Sequence, residues 1–398
     1  MPQPYTVKPD SQFLRRVLDQ GGADLKQCFQ CATCSAVCEL SRDGTPFPRK
    51  EMIWAQWGLK DRLLADPDVW LCYQCDDCST HCPRGARPGD VLAAVRQEVI
   101  QEYAVPRFLG RWLSQPRYLP LALLVPVVLL GLAMLLRSPI EGALGISGRT
   151  SEKIIYAYSN LLPHWLLISF FGLFTVATVV AMVAGVRRFW GAMRAADPDG
   201  QALRPLWPSI TAALKDIFLH SHFSRCTTEQ GRSLAHLLVF YGFAALSLVA
   251  FWVVTAAINP LTPRFAYPFN FWSPWRMLAN LGGLAVLAGC GLMIRDRVLR
   301  AARGGRSSYA DWLLLGTVLA VVLTGLASEA AHYARWDPHR HVIYFIHLVC
   351  VFTLLMYLPY SKLAHLVYRA TAMVYAIRTG RVRPAEDRGD GEPPAQSG

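Results

Sequence analysis

Cys28-Phe29-Gln30-Cys31-Ala32-Thr33-Cys34-Ser35-Ala36-Val37-Cys38 and Cys72-Tyr73-Gln74-Cys75-Asp76-Asp77-Cys78-Ser79-Thr80-His81-Cys82 are two copies of one spacing, Cys-x2-Cys-x2-Cys-x3-Cys, and they hold eight of the eleven cysteines. A cubane presents four irons, and one tight loop can deliver three thiolates at that interval. The fourth cysteine of each run lies too far along the chain to close the same cube and serves the other cluster. The spacing therefore assigns Cys28, Cys31, Cys34 and Cys82 to one [4Fe–4S] cluster, and Cys72, Cys75, Cys78 and Cys38 to a second. The first run departs from the pattern in one place, ending Cys38-Glu39 where the second ends Cys82-Pro83. Zinc ribbons use pairs of Cys-x2-Cys and disulfides need an oxidising compartment, so neither accounts for runs of four. Cys226, Cys290 and Cys350 read as ordinary loop or apolar-helix residues.

The remainder of the chain is of a different kind. Of its 398 residues 53% are apolar and only 17% charged, a balance more apolar than soluble domains show. Six runs, near residues 118–136, 161–186, 233–258, 277–294, 311–329 and 342–361, are long enough to cross a bilayer. The net charge of +12 does not point to nucleic acid, because the basic residues flank these runs, where membrane topology is set. Arginine and lysine crowd one side, with Arg187, Arg188, Arg194 and the Arg295–Arg306 loop, and are sparse on the other. Both termini are then expected in the cytoplasm, in the cytoplasmic membrane. The first 27 residues lack the apolar core of a signal peptide. The expected architecture is mainly α. A two-cluster ferredoxin-type domain spans 1–100, an interfacial linker 101–117, a six-helix transmembrane bundle 118–378 and a disordered tail 379–398.

Histidines suggest what the bundle carries, since ionisable residues inside spans are costly and point to function. His347 and His365 lie 18 residues apart on one predicted helix, which is five turns and about 27 Å of rise. They would face one way, one per leaflet, as two stacked haems require, with Pro359 as a potential kink. His236, near the cytoplasmic end of the third span, is level with His365. His164, at the outer end of the second, is level with His347. The pairs are therefore His236/His365 and His164/His347, with His332 a rival to His164, and His339 and His341 weaker ones. His220 and His222 read as surface residues of a basic loop, and His81 as an exposed neighbour of the second cysteine run. Gly142-x2-Gly145-x2-Gly148 lacks the strand-turn-helix setting of a dinucleotide site.

Several segments resemble the membrane-embedded C component of the quinone-interacting membrane-bound oxidoreductase (Qmo) complex. They are CFQCATCSAVCELS (28–41), PFPRKEMIWAQWGLKDRLLADPDVWLC (46–72), CYQCDDCSTHCPRGARPGDVLAA (72–94), GRSLAHLLVFYGF (231–243) and HVIYFIHLVCVFTLLMYLPYSKLAHLVYR (341–369). The resemblance covers nearly all of the chain but the tail. It implies a domain like the C component of heterodisulfide reductase, fused to a cytochrome b domain similar to the nitrate reductase gamma subunit. It also implies two [4Fe–4S] clusters and b haems, two rather than one. Electrons would be exchanged between the menaquinone pool and the flavin-bearing A and B components of Qmo, and through them with adenosine-5′-phosphosulfate (APS) reductase. The carry-over reaches the eight cysteines, His236, His347 and His365. In the nitrate reductase gamma pattern both partners of the last helix come from one helix, ten residues apart; here Leu246 stands at the second place, which is why His164 is recruited.

A quinone site needs hydrogen-bond donors and a proton path. Arg232, Lys362 and Tyr360 flank the cytoplasmic histidine level, and Glu329 and His332 the outer one. No adjacent cysteine pair of the disulfide-reducing kind is present, so the chain reads as a relay whose sulfur chemistry lies on partners. The rival readings are a membrane anchor without a quinone site of its own, and a member of a membrane heterodisulfide-reductase-type complex.

Overall fold

The computed structural model describes residues 8–42, 44–143, 158, 161–197, 204–220, 231–258, 270–302 and 304–382. Among these residues helices account for the fold and no strand forms beyond a single bridge between Arg42 and Thr45. The tail expected to be disordered lies, from residue 383, outside the described residues, as do Cys226 and His222.

The cysteine-bearing head is built on helix α1 (Ser11–Val17), α2 (Arg49–Gln56) and α3 (Pro88–Tyr103). Asp10 starts α1 by accepting the Phe13 amide at 2.8 Å, the side-chain cap that a free helix N-terminus requires. Pro88 opens α3, where its missing N–H costs nothing, and Asp90 follows in the positive first turn. Val91, Leu92, Val95 and Val99 repeat at helical spacing and bury one face of α3 against Phe13, Met52 and Leu63.

That core does not close within the head. Met182, Phe189 and Met193 of α6 (His164–Ala196) and Tyr368, Ala372 and Tyr375 of α12 (His365–Arg378) belong to it as well. Helix α6 has 33 residues, about 50 Å at 1.5 Å per residue. A bilayer core takes roughly 30 Å, or about 20 helical residues, so the last third of α6, with Phe189 and Met193, is surplus to a span and packs against the head. Between head and bundle, residues 101–103 complete α3 and α4 (Arg107–Leu113) follows, so most of the expected linker is helical.

Among the described residues six helices are long and apolar enough to cross a membrane. Their cores are α5 (Leu119–Leu135), α6, α8 (Gly231–Ile258), α9 (Pro274–Ala302), α10 (Tyr309–Tyr333) and α11 (His339–Met356), close to the expected runs. The basic stretch before α8 also holds a helix where the sequence suggests loop, α7 (Leu206–Leu219). It packs Ala213 onto Met373, Ala376 and Ile377 of α12. Helices α8 and α9 touch through backbone. A Cβ at Gly242 would lie 2.7 Å from the Gly282 carbonyl oxygen, and one at Gly289 would lie 2.9 Å from that of Ala235.

The expectation that His347 and His365 share one continuous helix is corrected. Helix α11 stops at Met356, two 3-10 turns follow (Leu358–Tyr360 and Lys362–Ala364), and α12 begins at His365. Pro359 can donate no amide hydrogen bond. Ser361 is extended (φ −102°, ψ 172°), and its hydroxyl caps the next turn by accepting the Leu363 amide at 3.3 Å. Counting five turns between the two histidines is therefore invalid.

The glycine contact between α8 and α9 gives a direct test. Gly289→Val should destabilise the detergent-solubilised protein by roughly 1–3 kcal/mol, the range of overpacked cores. Gly291→Val, on an open face with nothing within 4 Å of an added Cβ, should leave the thermal midpoint unchanged. Equal midpoints for the two variants would refute the close crossing.

Candidate iron–sulfur and haem centres

The two cysteine runs adopt the same unusual backbone. Gln30 and Ala32 in the first have φ of 61° and 69°, and Gln74 and Asp76 in the second have φ of 54° and 69°. Left-handed conformations at non-glycine residues are held only where the surroundings over-determine them. Here they curl each loop before a single helical turn, Thr33–Ala36 and Asp77–Thr80. Cys28, Cys31, Cys34 and Cys82 line one shallow pocket with Arg49 and Arg84. Cys78 has Cys72, Cys38 and Cys75 as its charged neighbours. The fourth cysteine of each run thus stands with the first three of the other.

The chemistry of these groups fits iron–sulfur clusters. Burial, reinforced by neighbouring thiols, pushes the Cys34 thiol up to about 11. Burial likewise pushes Cys38 up to about 12, and raises Cys28 and Cys78. Cys31 is exposed, and the Thr33 hydroxyl lowers it. Four crowded thiols of this kind ionise together only with a cationic metal centre among them. Donors to sulfur are in place: the Gln74 amide reaches Cys72 Sγ and the Ala86 amide reaches Cys82 Sγ, each at 3.3 Å.

One further cluster of acids, Glu51, Asp66 and Asp68, has metal-like spacing but already contains its cation. Lys50 Nζ lies 2.9 Å from Asp66, 2.9 Å from Asp68 and 3.2 Å from Glu51. Burial would lower the Lys50 pKa, but the three carboxylates outweigh it and raise it.

The histidines divide into two levels. His365 opens α12 with Nδ1 2.6 Å from the Lys362 carbonyl, which fixes the tautomer and leaves Nε2 for a metal. His236 on α8 lies within electrostatic reach of it. A third histidine joins them that the sequence places on the surface. His220 ends α7, and its ring is 5.4 Å from that of His236 and 4.9 Å from Phe240. At the other level, His347 on α11 turns to α10. Its Nδ1 is 3.0 Å from the Thr324 hydroxyl, and its ring lies over Gly325, where an added Cβ would come within 3.1 Å. His164 is the exposed first residue of α6, and Leu166, Leu348 and Val349 form the core there between α6 and α11. His332 and His341 instead face Tyr158, with ring centroids at 5.6 and 6.1 Å.

The polar residues singled out for a quinone are mostly engaged. Tyr360 donates to the Val105 carbonyl at 2.8 Å, and Lys362 pairs with Asp311, which also has Arg297 at 3.6 Å. Glu329 accepts from Arg276 at 2.9 Å and from Asn280 at 3.2 Å. The Arg232 side chain lies outside the described residues.

Comparison with known proteins adds two matches in tandem. Residues 24–86, which contain all eight cysteines, match the 4Fe-4S dicluster domain, and residues 114–387 match the family described as citrate utilization protein B. The head is 38% identical over 90 residues to a protein of Archaeoglobus profundus described as like the C component of heterodisulfide reductase, covering 22% of this chain and 48% of that protein. It is equally similar, 38% over 90 residues, to the C component of the H2:CoB-CoM heterodisulfide,ferredoxin reductase of Methanothermobacter marburgensis. The chain thus spans about half the length of these relatives. Citrate utilization protein B of Escherichia coli is 27% identical over 384 residues, covering 92% of this chain and 94% of that protein. No solved structure matches. The head is thus an iron–sulfur electron-transfer module of the kind found in the C component of heterodisulfide reductase, fused to a membrane domain.

Cysteine substitution tests the exchange of fourth ligands. Cys38→Ala and Cys78→Ala should abolish the same paramagnetic signal and each reduce iron from about eight to about four atoms per chain. Cys82→Ala should remove the other signal, together with Cys34→Ala. If Cys38→Ala removed the Cys34 signal, the exchanged arrangement would be wrong.

Proposed function

The chain belongs to the citrate utilization protein B family, and from that premise we propose that it is the membrane subunit of a quinone-linked oxidoreductase, relaying electrons between the menaquinone pool and a cytoplasmic flavoprotein. The observation that supports this most is the position of His236 and His365. They lie within reach of each other at the end of the bundle that meets the cysteine-bearing head. In this reading residues 1–100 form the two-cluster domain, 118–378 the cytochrome b domain, and both termini lie in the cytoplasm.

Cys28, Cys31, Cys34 and Cys82 would hold one [4Fe–4S] cluster and Cys72, Cys75, Cys78 and Cys38 the other. His236 and His365 would hold one b haem, and His347 a second with His164 or His332. These groups supply one-electron carriers whose potentials the chain tunes by ligand, burial and hydrogen bonding. Lys362 aims the His365 ring through its carbonyl, and Thr324 aims that of His347. At the cytoplasmic level the Lys362–Asp311–Arg297 group provides a chain of ionisable side chains. Through it the two protons of a quinol would be passed to water.

The identity of the flavoprotein separates two readings. The Qmo resemblance supports the A and B components of that complex, serving APS reductase in dissimilatory sulfur metabolism. The whole-length match to citrate utilization protein B supports instead a flavoprotein acting in citrate utilization. Affinity isolation of the tagged chain from its native membrane decides between them. APS reductase with flavoproteins would favour the first, a carboxylate-oxidising flavoprotein the second, and a disulfide-reducing partner neither.

Haem content tests the relay itself. The purified chain should carry two b haems that a menaquinol analogue reduces, seen in a reduced-minus-oxidised spectrum. His365→Ala should remove one haem and His347→Ala the other. A preparation with both clusters and no haem would make the chain an iron–sulfur anchor and end the quinone reading.

A further inference from the structure

We infer that the two cysteine quartets are functionally unequal: the Cys72/Cys75/Cys78/Cys38 quartet is the one that faces the membrane domain, with Arg369 as the positioning residue that ties it to the helix bearing His365, while the Cys28/Cys31/Cys34/Cys82 quartet faces the soluble partner. The roles of port and entry rest on the relay reading above; the placement of Arg369 does not.

Burial divides the quartets first. The pocket of the Cys28 quartet is lined entirely by residues between 28 and 88, so no membrane helix contributes to it. Its rim is open, with Cys31 exposed, Phe29 68% exposed and the Arg84 guanidinium 4.2 Å above the Phe29 ring. Exposed aromatic and arginine side chains beside a redox centre are the residue types that anchor protein–protein contacts. The other quartet buries two cysteines, Cys72 and Cys78, and exposes none, whereas the first buries Cys34 alone. Cys72 belongs to the same core as Tyr368 and Ala372 of α12.

Hydrogen bonding then joins this second quartet to the membrane domain. The Cys72 carbonyl accepts from two guanidinium groups, Arg96 of α3 at 2.8 Å and Arg369 of α12 at 3.0 Å. Arg96 also donates to the Val69 carbonyl at 2.8 Å, and Arg369 lies 5.1 Å from the Tyr73 ring centre. Residues on either side of Cys72 are thus gripped from both domains. Arg369 follows His365 by one helical turn, about 6 Å along the axis, so one short rigid segment fixes both the quartet and the histidine. Two like charges at one carbonyl are tolerable where anionic sulfur lies alongside. Being cationic, both arginines favour the reduced, more negative form of whatever the quartet holds.

The experiment is a potentiometric titration of the full-length protein in detergent, followed by electron paramagnetic resonance, with iron and haem quantified. Cys75→Ser and Cys31→Ser identify which signal belongs to which quartet. Arg369→Ala should move the Cys75-dependent signal to lower potential, or remove that signal alone with half the iron. It should leave the Cys31-dependent signal in place. Arg369→Lys, which keeps the charge and loses the fork, should restore most of the potential. A movement of the Cys31-dependent signal, or of neither, overturns the assignment. A merely structural role would lower the content of both clusters without moving a potential. If the wild-type protein proves to lack haem, the relay reading fails while the titration still decides the place of Arg369.

Discussion

A single patch of aromatic packing unites the two halves of this protein. Trp70 of the head stacks on Tyr368 of α12, with ring centres 5.7 Å apart and planes at 15°, and Phe189 of α6 meets both edge-on at 6.3 and 5.5 Å. Tyr103, at the end of α3, closes the group against Phe189 at 5.6 Å. Aromatic pairs in these geometries contribute beyond the area they bury. The patch also leaves no room for adjustment: a Cβ at Gly185 would lie 2.7 Å from the Tyr368 hydroxyl oxygen and 3.2 Å from the Tyr103 carbonyl. The joint brings the head against α6 and α12, the helix that opens with His365.

Charge sets the orientation that packing alone leaves free. Arg300, at the end of α9, reaches Asp76 at 3.2 Å and Asp90 at 3.4 Å in the head, and Arg87 reaches the same two acids at 3.3 and 2.7 Å. On another side Arg381, just past α12, binds Asp197 at 2.8 Å and lies 3.8 and 3.7 Å from Asp66 and Asp68. Arg300 and Arg381 come from basic stretches at the ends of α9 and α12, and Arg87 from the head itself. Arginines beside the apolar helices thus also seat the head upon the bundle.

The sequence disclosed those features whose chemistry forces a local pattern. Thiolates must follow one another at fixed intervals to meet a cubane, so the quartets were legible from Cys28 to Cys82. Spans must be apolar for some twenty residues, so the six helices were legible to within a few positions over most of their lengths. Features made by chain segments meeting at a distance were not legible. Helix α7 was hidden in a basic stretch, although Leu206, Ile210, Ala213 and Ile217 carry the spacing of an amphipathic helix. With it went the approach of His220 to His236. The pairing of His347 with His365 on one helix applied helical periodicity across Pro359, where the backbone breaks. Arg96 and Arg369 gave no signal, since an arginine that serves a carbonyl from another domain resembles any other arginine.

The repeated left-handed positions in the two cysteine runs bear on how the head assembles. Gln30 and Gln74 are the same residue while Ala32 and Asp76 differ in size and charge, yet the backbone turns alike at both sites. The shared turn is therefore set by what each loop must enclose and not by the side chain at its second left-handed position. Because each run places its last cysteine with the other, neither copy is complete by itself. The head is therefore a single unit of assembly, in which unfolding of either loop would take ligands from both quartets.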